Sequence, residues 1–287
     1  MNYIILDFEW NNAYYKKNHA FVNEIVEIGA VKLDGNFNII DRFSRVVRSS
    51  ITKKLSGRFK ELTGMTNETM LDGIPFADAL NEYKLWAGEH NVTLTWSDSD
   101  LYVLYDNCIY FGSGPEDAKI GLYADLQKIF HNELVLMGTP EKNQMSLSNA
   151  AERLGITVSD EELHRAFNDS LLASKILEKC YKENIFSNFV IDTNNPEFYK
   201  KLCFKTFYVN DINSSFIDKS KLYVNCNTCG FKAKRLTKWS FKNKKFGAKF
   251  YCKNCDKKFL GFITIRKFYD SVEIRKKTVD IKDEIKA

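Results

Sequence analysis

Two acidic residues that follow the first apolar segment constrain this chain more than any other feature of its sequence. The segment Tyr3–Leu6 is short, apolar and rich in β-branched residues, which favours a buried strand over a helix. Asp7 and Glu9 come next, and side chains two positions apart project from the same face of a strand. Carboxylates that converge repel each other unless a cation lies between them, and oxygen ligands suit Mg²⁺ or Mn²⁺. An isolated pair of this kind is more often two solvated acids at a strand end, so its meaning depends on the rest of the chain.

Strand and helix patterns alternate along the first two thirds of the chain. An apolar run over 25–31, a hairpin turn at Asp34-Gly35 and a return over 37–47 predict two strands that neighbour the first. A helix that starts at Pro75 and a strand over 91–96 follow. Strands followed by helices indicate an α/β layered domain. The other predicted helical features are caps at Ser56, Thr66 and Ser146, helical spacing over 101–108 and 122–130, a helix end at Gly155, and a last helix that carries Asp169 in its first turn.

The charge of the chain changes sign near residue 200. Residues 1–199 carry 19 Lys and Arg against 29 Asp and Glu, a net charge of −10, whereas residues 200–287 carry 23 against 8, a net charge of +15. A basic C-terminal region indicates contact with a polyanion. The first apolar run lacks the flanks of a secretion signal, and no stretch approaches about 18 apolar residues, so we expect a cytoplasmic protein without a membrane span. Its seven cysteines are then thiols or metal ligands rather than disulfides.

Three blocks with acidic residues are informative because of their order and spacing. They are Asp7-Phe8-Glu9, Thr95-Trp96-Ser97-Asp98-Ser99-Asp100 and His164-Arg165-Ala166-Phe167-Asn168-Asp169. Together they resemble the DEDDh group of 3′→5′ exonucleases in the ribonuclease H-like superfamily, and Leu62–Thr66 is similar to that family's Leu-Thr-Gly-Ile-Thr segment. The resemblance covers residues 1–183 and implies an α/β domain with a mixed central sheet flanked by helices. The spacing from the Trp to the last Asp of the second block resembles the KapD-like and histone-mRNA-trimming branch, which favours RNA, although DNA proofreading exonucleases share the same catalytic residue types.

The chemistry of phosphodiester cleavage explains why these residue types belong together. It needs an activated water and stabilisation of charge on the attacking and leaving oxygens, which two metal ions about 3.5–4 Å apart provide. By resemblance, Asp7 would bridge two Mg²⁺ or Mn²⁺ ions, and Glu9 and Asp169 would help to hold the ion that activates water. Asp100 would support the second ion. His164 would take the proton, because the unperturbed pKa of histidine is near neutrality.

Two positions depart from the family pattern, and three acids leave alternatives open. Ser97 stands where a glycine usually follows the tryptophan, and Asn168 stands where an acidic residue often precedes the last Asp. Neither residue is itself a predicted metal ligand, and each lies near one in the sequence. Asp98 competes with the last residue of its block for the same role, although the motif favours the latter. Glu24 and Glu27 are candidates for extending the acidic cluster, but polar residues on a partly exposed strand are the simpler interpretation.

Four of the cysteines form two Cys-x-x-Cys pairs separated by 22 residues, namely Cys226 with Cys229 and Cys252 with Cys255. Two such turns can close a tetrahedral site of four thiolates, which is typical of a structural zinc ribbon, whereas a redox dithiol needs only one pair. Since no ligand position is left for water, one Zn²⁺ would be structural, and a module this small needs the metal to fold. The remaining cysteines, Cys108, Cys180 and Cys203, are interpreted as ordinary buried thiols.

Basic and aromatic residues alternate in the predicted ribbon. Cations suit phosphates and aromatic rings suit bases, so this region predicts contact with single-stranded RNA or DNA. The alternatives are that the aromatic residues form the ribbon's own core, or that the ribbon binds a protein partner. The segment 259–265 is expected to be the last strand, and the tail from Lys276 to be helical or disordered. The candidates for nucleic-acid contact are Trp10, for which burial in the core is the alternative, and Lys234, Arg235, Lys238, Trp239, Lys244 and Lys245.

The sequence therefore predicts an exonuclease domain over 1–185, a linker over 186–221 with a short helix near 197–203, and a basic zinc ribbon over 222–287. The expected activity is metal-dependent 3′→5′ removal of nucleoside monophosphates from single-stranded nucleic acid, RNA in preference to DNA. A DNA proofreading or repair exonuclease is one alternative. Another is an adaptor that keeps the fold without catalysis, and the retention of all five catalytic residue types argues against it.

Overall fold

The computed structural model describes residues 1–157 and 164–281. Contacts within the chain divide it into two compact units, Met1–Leu202 and Cys203–Ala287. Among the described residues, no helix has both the length and the apolar composition that a membrane crossing requires. The predicted α/β fold class, a mixed sheet with helices followed by a small cysteine-bearing unit, is confirmed.

The first unit is built on a mixed sheet of six strands. In chain order these strands are β1 (Asn2–Tyr15), β2 (Ala20–Leu33), β3 (Ile39–Val46), β4 (Asn91–Thr95), β5 (Leu122–Asp125) and β6 (Val190–Asp192). Their order across the sheet is β3-β2-β1-β4-β5-β6. The first three strands pair antiparallel, β4 and β5 join in parallel, and β6 closes the edge antiparallel. The prediction that the first three strands are neighbours is therefore confirmed.

Helices cover both faces of this sheet. Those described are α1 (Gly57–Thr63), α2 (Asn67–Leu71), α3 (Phe76–Ala87), α4 (Ser99–Phe111), α5 (Leu126–Leu136), α6 (Leu147–Arg153), α7 (Ala166–Cys180), α8 (Glu183–Phe186) and α9 (Pro196–Leu202). Alternation along β1 divides the core, because Tyr3 and Ile5 pack with α5 and α7 on one face, while Ile4 and Leu6 pack with α3 and α4 on the other. By the same alternation Asp7 and Glu9 belong to the α7 face.

The predicted helix caps are confirmed. The side-chain oxygens of Ser56, Thr66 and Ser146 each accept a hydrogen bond from the backbone N–H three residues later, at the start of α1, α2 and α6. Gly155 follows the end of α6 with a φ of 68°, a left-handed conformation that glycine adopts without strain.

The helical prediction over 122–130 is wrong in its first half. Leu122–Asp125 is β5, and α5 begins only at Leu126, where the side chain of Asp125 accepts from the backbone N–H of Lys128. The four-residue spacing from Leu122 to Leu126 imitates helical periodicity. A short strand that is buried on both faces shows no polar alternation that would reveal it.

The predicted linker over 186–221 instead contains elements of both units. The strand β6 pairs with β5, and α9, which confirms the short helix expected near 197–203, packs on the first unit. There the ring of Tyr199 stacks on Tyr105 with centroids 4.8 Å apart. Farther along, Val209 and Ile217 are buried in the second unit. Asn, Ser and Lys are abundant in this segment, but a few well-spaced apolar residues are sufficient to anchor it.

The second unit is an antiparallel sheet around a small core. Its strands are β7 (Phe207–Tyr208), β8 (Lys234–Arg235), β9 (Ser240–Lys242), β10 (Lys245–Cys252), β11 (Lys257–Lys267) and β12 (Val272–Asp280). They follow the order β12-β11-β10-β8, with β7 on β11 and β9 on β10. Phe246, Phe250 and Phe259 are buried in the core, whereas Phe231 and Phe241 are exposed. The aromatic residues of this unit are thus divided between core and surface.

Two expectations about the C-terminal region and one about the cysteines are wrong. The strand predicted over 259–265 is not the last, because β12 follows it, and the start of the predicted helical or disordered tail, from Lys276 to Asp280, lies within β12. The part of that tail over 282–287 lies outside the described residues. The charged residues of β12 obscure its strand pattern, and pairing along β11 stabilises it. Cys108 and Cys180 are buried as predicted, whereas Cys203 is partly exposed.

Candidate active site and zinc site

The pairing of β1 with β2 places the first two acids on one face of the sheet. Asp7 lies opposite Gly29, and Glu9 lies opposite Glu27. Residues directly opposite in an antiparallel pair project from the same face, so all four positions are neighbours there. A β-bulge follows at once, between Glu9 and Trp10, and shifts the register of the rest of the hairpin.

Gly29 allows the helix α7 to approach this face closely. A β-carbon added to Gly29 would lie 2.1 Å from the backbone nitrogen of Phe167 and 2.2 Å from the carbonyl carbon of Ala166, distances that real atoms do not show. Ser170 also donates a hydrogen bond from Oγ to the carbonyl oxygen of Gly29, at 3.0 Å. The first turn of α7 therefore lies directly on the sheet and carries Asp169 to the acids of β1.

Carboxylates from these two elements converge. One oxygen each from Asp7, Glu9 and Asp169 lies within 4.8 Å of the others. The sequence separates Asp169 from the pair on β1 by most of the first unit, so the cluster is a product of the fold. Three carboxylates this close form a donor set of hard oxygens that suits a divalent cation such as Mg²⁺ or Mn²⁺.

The electrostatics of the cluster also fit a cation. Burial, and then the charges of Asp100 and Asp169, raise the pKa of Asp7 well above its ordinary value. Burial and the charge of Asp169 raise the pKa of Glu9 to about 8. Burial likewise raises the pKa of Asp169 to about 6, against the lowering effect of His164. These acids remain ionised together near neutral pH only if positive charge joins them.

The second acidic block places its two acids differently. Asp100, in the first turn of α4, is 4% exposed, and its Oδ1 accepts a hydrogen bond from the backbone N–H of Phe8 at 3.3 Å. Burial raises its pKa to about 7. It therefore lies beside Asp7, next to the three-carboxylate cluster. Asp98 instead lies 3.4 Å from the ammonium of Lys128 at the surface.

His164 lies at the surface, next to the cluster. Its backbone has a φ of 63°, and its side chain is exposed. Its backbone N–H donates to the carboxylate of Asp169, and its side chain is close enough to that carboxylate to lower the pKa of Asp169. The structure thus brings an exposed imidazole to the rim of a partly buried acidic site.

Sequence reasoning missed the role of two buried acids on β2. Glu27 is 1% exposed and accepts three hydrogen bonds from Arg165, the residue after His164. Glu24 is 2% exposed and accepts from Ser49 and Ser50. The interpretation of both as polar residues on a partly exposed strand is wrong, because their partners come from distant segments that no local pattern indicates.

The four paired cysteines form a second potential metal site, in the second unit. The sulfur atoms of Cys226, Cys229, Cys252 and Cys255 all lie within 4.8 Å of one another. Backbone N–H groups of Cys229 and Thr228 donate to the sulfur of Cys226 and lower the pKa of its thiol. The side chain of Cys255 and then the backbone N–H of Phe231 lower the pKa of Cys229 to about 6. In a tetrahedral zinc site with Zn–S bonds of about 2.3 Å, sulfur atoms lie nearly 4 Å apart, so the donors fit one Zn²⁺.

The predicted nucleic-acid contacts are distributed over both units. Trp10 is half-buried against the core of the first unit. In the second unit the basic candidates are exposed, and three of them lie beside aromatic rings. Their cations are 5.1 to 5.4 Å from the ring centres in the pairs Lys244 with Tyr208, Arg235 with Trp239, and Lys245 with Phe262. The remaining candidates, Lys234 on β8 and Lys238 after it, are exposed.

Comparison with known proteins identifies relatives of the first unit. The profile of the family described as Exonuclease, RNase_T, matches residues 4–177. The chain is 31% identical over 182 residues to the probable 3′-5′ exonuclease KapD of Bacillus subtilis, which covers 61% of this chain and 82% of KapD. It is 25% identical over 187 residues to the PolC-type DNA polymerase III of Bacillus cereus, which covers 65% of this chain and 12% of the polymerase.

A solved structure shares the fold. The nuclease domain of 3′hExo, described as a DEDDh family member bound to rAMP, superposes with a TM-score of 0.51 at 23% sequence identity. The superposition covers 62% of this chain and 90% of that domain.

Proposed function

This chain belongs to the RNase_T exonuclease family and is a 3′–5′ exonuclease, and we propose from that premise that it shortens single-stranded nucleic acid, RNA in preference to DNA, with divalent metal ions. One observation carries the proposal. Asp7 and Glu9 from a strand and Asp169 from a helix converge to within 4.8 Å, a donor set that a metal-dependent phosphodiester hydrolase requires and that a non-catalytic adaptor does not need.

The acidic side chains would hold Mg²⁺ or Mn²⁺. Asp7 would be shared between two ions, with Glu9 and Asp169 on one and Asp100 on the other. When bound, such ions stabilise the negative charge that develops on the attacking and leaving oxygens. The protein fixes the donors in advance, because α7 packs on β2 at Gly29, directly opposite Asp7 of β1.

His164 acts as the general base in this proposal. Its exposed imidazole at the rim of the cluster takes the proton of the attacking water, while its backbone N–H remains on Asp169. The water oxygen forms a bond to phosphorus, and the bond from phosphorus to the 3′ oxygen of the preceding nucleotide breaks. The terminal residue then leaves as a nucleoside monophosphate.

The preference for RNA rests on the form of the second acidic block. Within that block Trp96 donates from its indole N–H to the carbonyl of Met145 at 3.0 Å, and its ring centre lies 5.7 Å from that of Phe130. These contacts give Trp96 a packing role, so the support for RNA comes from the resemblance of the block to the RNA-processing branch and not from a substrate contact of this ring. Similarity to a PolC-type polymerase makes DNA the second candidate substrate.

The second unit would hold one structural Zn²⁺ and help to capture the substrate. Residues 203–287 carry 21 Lys and Arg against 8 Asp and Glu, a net charge of +13. Such a surface gains affinity for nucleic acid by releasing counterions from phosphates. A protein partner for this unit is the alternative. Elemental analysis of protein purified without added metal tests the zinc site, and much less than one equivalent of zinc would contradict it.

Degradation of end-labelled oligomers tests the proposed activity. RNA and DNA, single- and double-stranded, are incubated with the protein and with Mg²⁺ or Mn²⁺, and the expected products are nucleoside monophosphates released from the 3′ end of single-stranded RNA. The control variant Asp7→Ala should be inactive. Metal-independent cleavage, or equal activity in the variant, would rule out this active site, and faster loss of DNA would establish the second candidate.

A further inference from the structure

A surface cavity of about 520 Å³ in the second unit combines cations with aromatic rings. Its lining includes Lys219, Tyr223, Lys232, Arg235, Trp239 and Phe250. None of the lining residues that the structure describes is acidic. The volume is within the range of about 300–1,000 Å³ that small-ligand pockets occupy. A cavity lined in this way suits an anionic ligand with a planar ring.

The rings and the cations of this cavity are already arranged as pairs. Tyr223 is 37% exposed, and the ammonium groups of Lys276 and Lys232 lie 3.3 and 5.0 Å from its ring centre. The guanidinium of Arg235 lies 5.3 Å from the ring of Trp239, which packs on the buried ring of Phe250 with centroids 5.6 Å apart. Cations beside aromatic faces provide phosphate contacts next to stacking surfaces.

The ring of Trp239 is held by packing alone among the described residues. Its Nε1–H is buried and has no hydrogen-bond partner there, although buried tryptophans usually find one. The indole is therefore positioned by its contacts with Phe250 and Arg235 and not by a hydrogen bond.

A second cavity, of about 610 Å³, adjoins the first and repeats its chemistry. The two share Lys232 and Ala233, and the second adds Lys234, Lys253 and two aromatic residues, Phe231 and Tyr251. Phe231 is 63% exposed. Because both cavities combine rings with cations, the pair matches consecutive nucleotides of a strand better than a single free nucleotide.

We propose that these adjoining cavities bind successive nucleotides of single-stranded nucleic acid. Bases stack on Tyr223 and Trp239 in the first cavity and on the exposed ring of Phe231 in the second. Phosphates contact Lys232, which lines both cavities, Arg235, and Lys276 beside Tyr223. The inference rests on the proposed function, since the strand bound here is the substrate of the exonuclease. An acidic protein segment would use the cations but would leave the exposed rings without a matching partner, so the observations favour nucleic acid.

Binding is measured on the full-length Asp7→Ala variant, which holds a strand without cleaving it. The probes are labelled single-stranded RNA and DNA homopolymers in fluorescence anisotropy, with a nucleoside monophosphate as competitor. Tyr223→Leu and Trp239→Leu should each weaken binding about tenfold, whereas Tyr223→Phe and Trp239→Phe keep a stacking ring and should stay within about threefold. The monophosphate should compete poorly, because it fills only one of the two cavities.

Two neighbouring lysines provide a matched test of the charge. Lys276 and Lys277 are both exposed on β12 and point to opposite faces, with only Lys276 over Tyr223. Lys276→Gln should weaken binding and reduce the slope of log affinity against log salt by about 0.7, and Lys277→Gln should change both less. Zinc content and melting temperature, measured for every variant, identify those that fail to fold.

The proposal fails if folded Lys276→Gln and Trp239→Leu bind both nucleic acids as their parent does. This failure is distinct from that of the exonuclease. Hydrolysis of very short substrates by the wild-type chain, compared with Asp7→Ala, reports on the acidic cluster, so it tests the exonuclease separately from strand binding.

Discussion

Arg165 donates three hydrogen bonds, of 2.7 to 3.2 Å, to the carboxylate of Glu27, a side chain that lies opposite Glu9 in the sheet. Arg165 follows His164 directly and precedes the helix α7. The ion pair therefore anchors the segment His164-Arg165 to the sheet. This segment positions the candidate base, His164, and leads into the helix that carries Asp169. A fork-shaped guanidinium on a carboxylate fixes direction as well as distance, which a lysine would not do.

Removal of the arginine should destabilise the protein and impair the site. Arg165→Ala leaves Glu27 buried without its partner, and since Arg165 is 42% exposed, water will recover part of the loss, so we expect about 2 kcal/mol and a melting temperature about 4–8 °C lower. Thermal melts of Arg45→Ala, which breaks the exposed pair with Glu82, serve as the control and should barely shift. Equal shifts in melting temperature in the two variants would show that the buried pair contributes no more to stability than the exposed pair.

A single methyl group at Gly29 should disrupt the active site. In Gly29→Ala the new carbon clashes with the backbone of Phe167, so α7 must move away and take Asp169 with it. A displacement of about 1 Å is enough to cost roughly 100-fold in kcat/KM. Gly35→Ala is the matched control, because a β-carbon added at Gly35 would lie 3.8 Å from its nearest neighbour, the carbonyl oxygen of Met1. Exonuclease rates near wild type in Gly29→Ala would mean that the position of α7 does not set the chemistry.

Substitutions of the two acids of the second block, Asp98 and Asp100, should have different effects on the rate of hydrolysis. Asp100→Asn removes a buried carboxylate beside Asp7 and should lower kcat at least 100-fold. Asp98→Asn removes only a surface ion pair with Lys128 and should stay within about threefold. Steady-state kinetics at saturating metal, with melting curves as a check on folding, distinguish them. A larger loss of kcat in Asp98→Asn than in Asp100→Asn would mean that Asp98, and not Asp100, supports the metal ion.

Stability without added Mg²⁺ or Mn²⁺ should fall as pH rises. Burial and mutual repulsion raise the pKa of Glu9 to about 8 and of Asp100 to about 7, so between about pH 5 and pH 8 the folded chain holds more protons than the unfolded chain. With that sign, the free energy of unfolding decreases through this range. Added Mg²⁺ should restore stability most at the alkaline end, because it binds the ionised acids of the folded state. Melting temperatures that rise with pH, or that ignore the metal, would contradict this.

Local rules were sufficient for the first half of the site. The apolar run before Asp7 and the two-residue spacing to Glu9 predict a strand with both acids on one face, because alternation is a property of the strand itself. The helix that carries Asp169 was predictable from its own helical spacing of apolar residues, which is also a local property. Their convergence came from the resemblance, since no spacing rule connects residues on β1 with the start of α7.

Partners that are distant in sequence account for what was missed. Arg165 and Glu27 are 138 positions apart, and neither residue carries a local signal that the other exists. Gly29 is similar, because a glycine inside an apolar strand is compatible with a bulge or with the close approach of another backbone and does not identify the helix that lies against it. In the second unit, β12 has the composition of a solvated tail, and only its pairing with β11 makes it a strand. Tertiary contact decides such cases over local propensity.

The bulge after Glu9 divides the long hairpin of β1 and β2 into two parts that differ in how well they tolerate insertions and shifts of register. On the inner side the register fixes which residue faces α7, so a shift of one position would turn the acids toward the opposite core. On the outer side the hairpin ends in the exposed turn over 16–19, beyond a point where the register has already changed. That tip is therefore a permissive position for engineering, and an affinity tag or fluorophore inserted there should report on the enzyme without disturbing its catalysis.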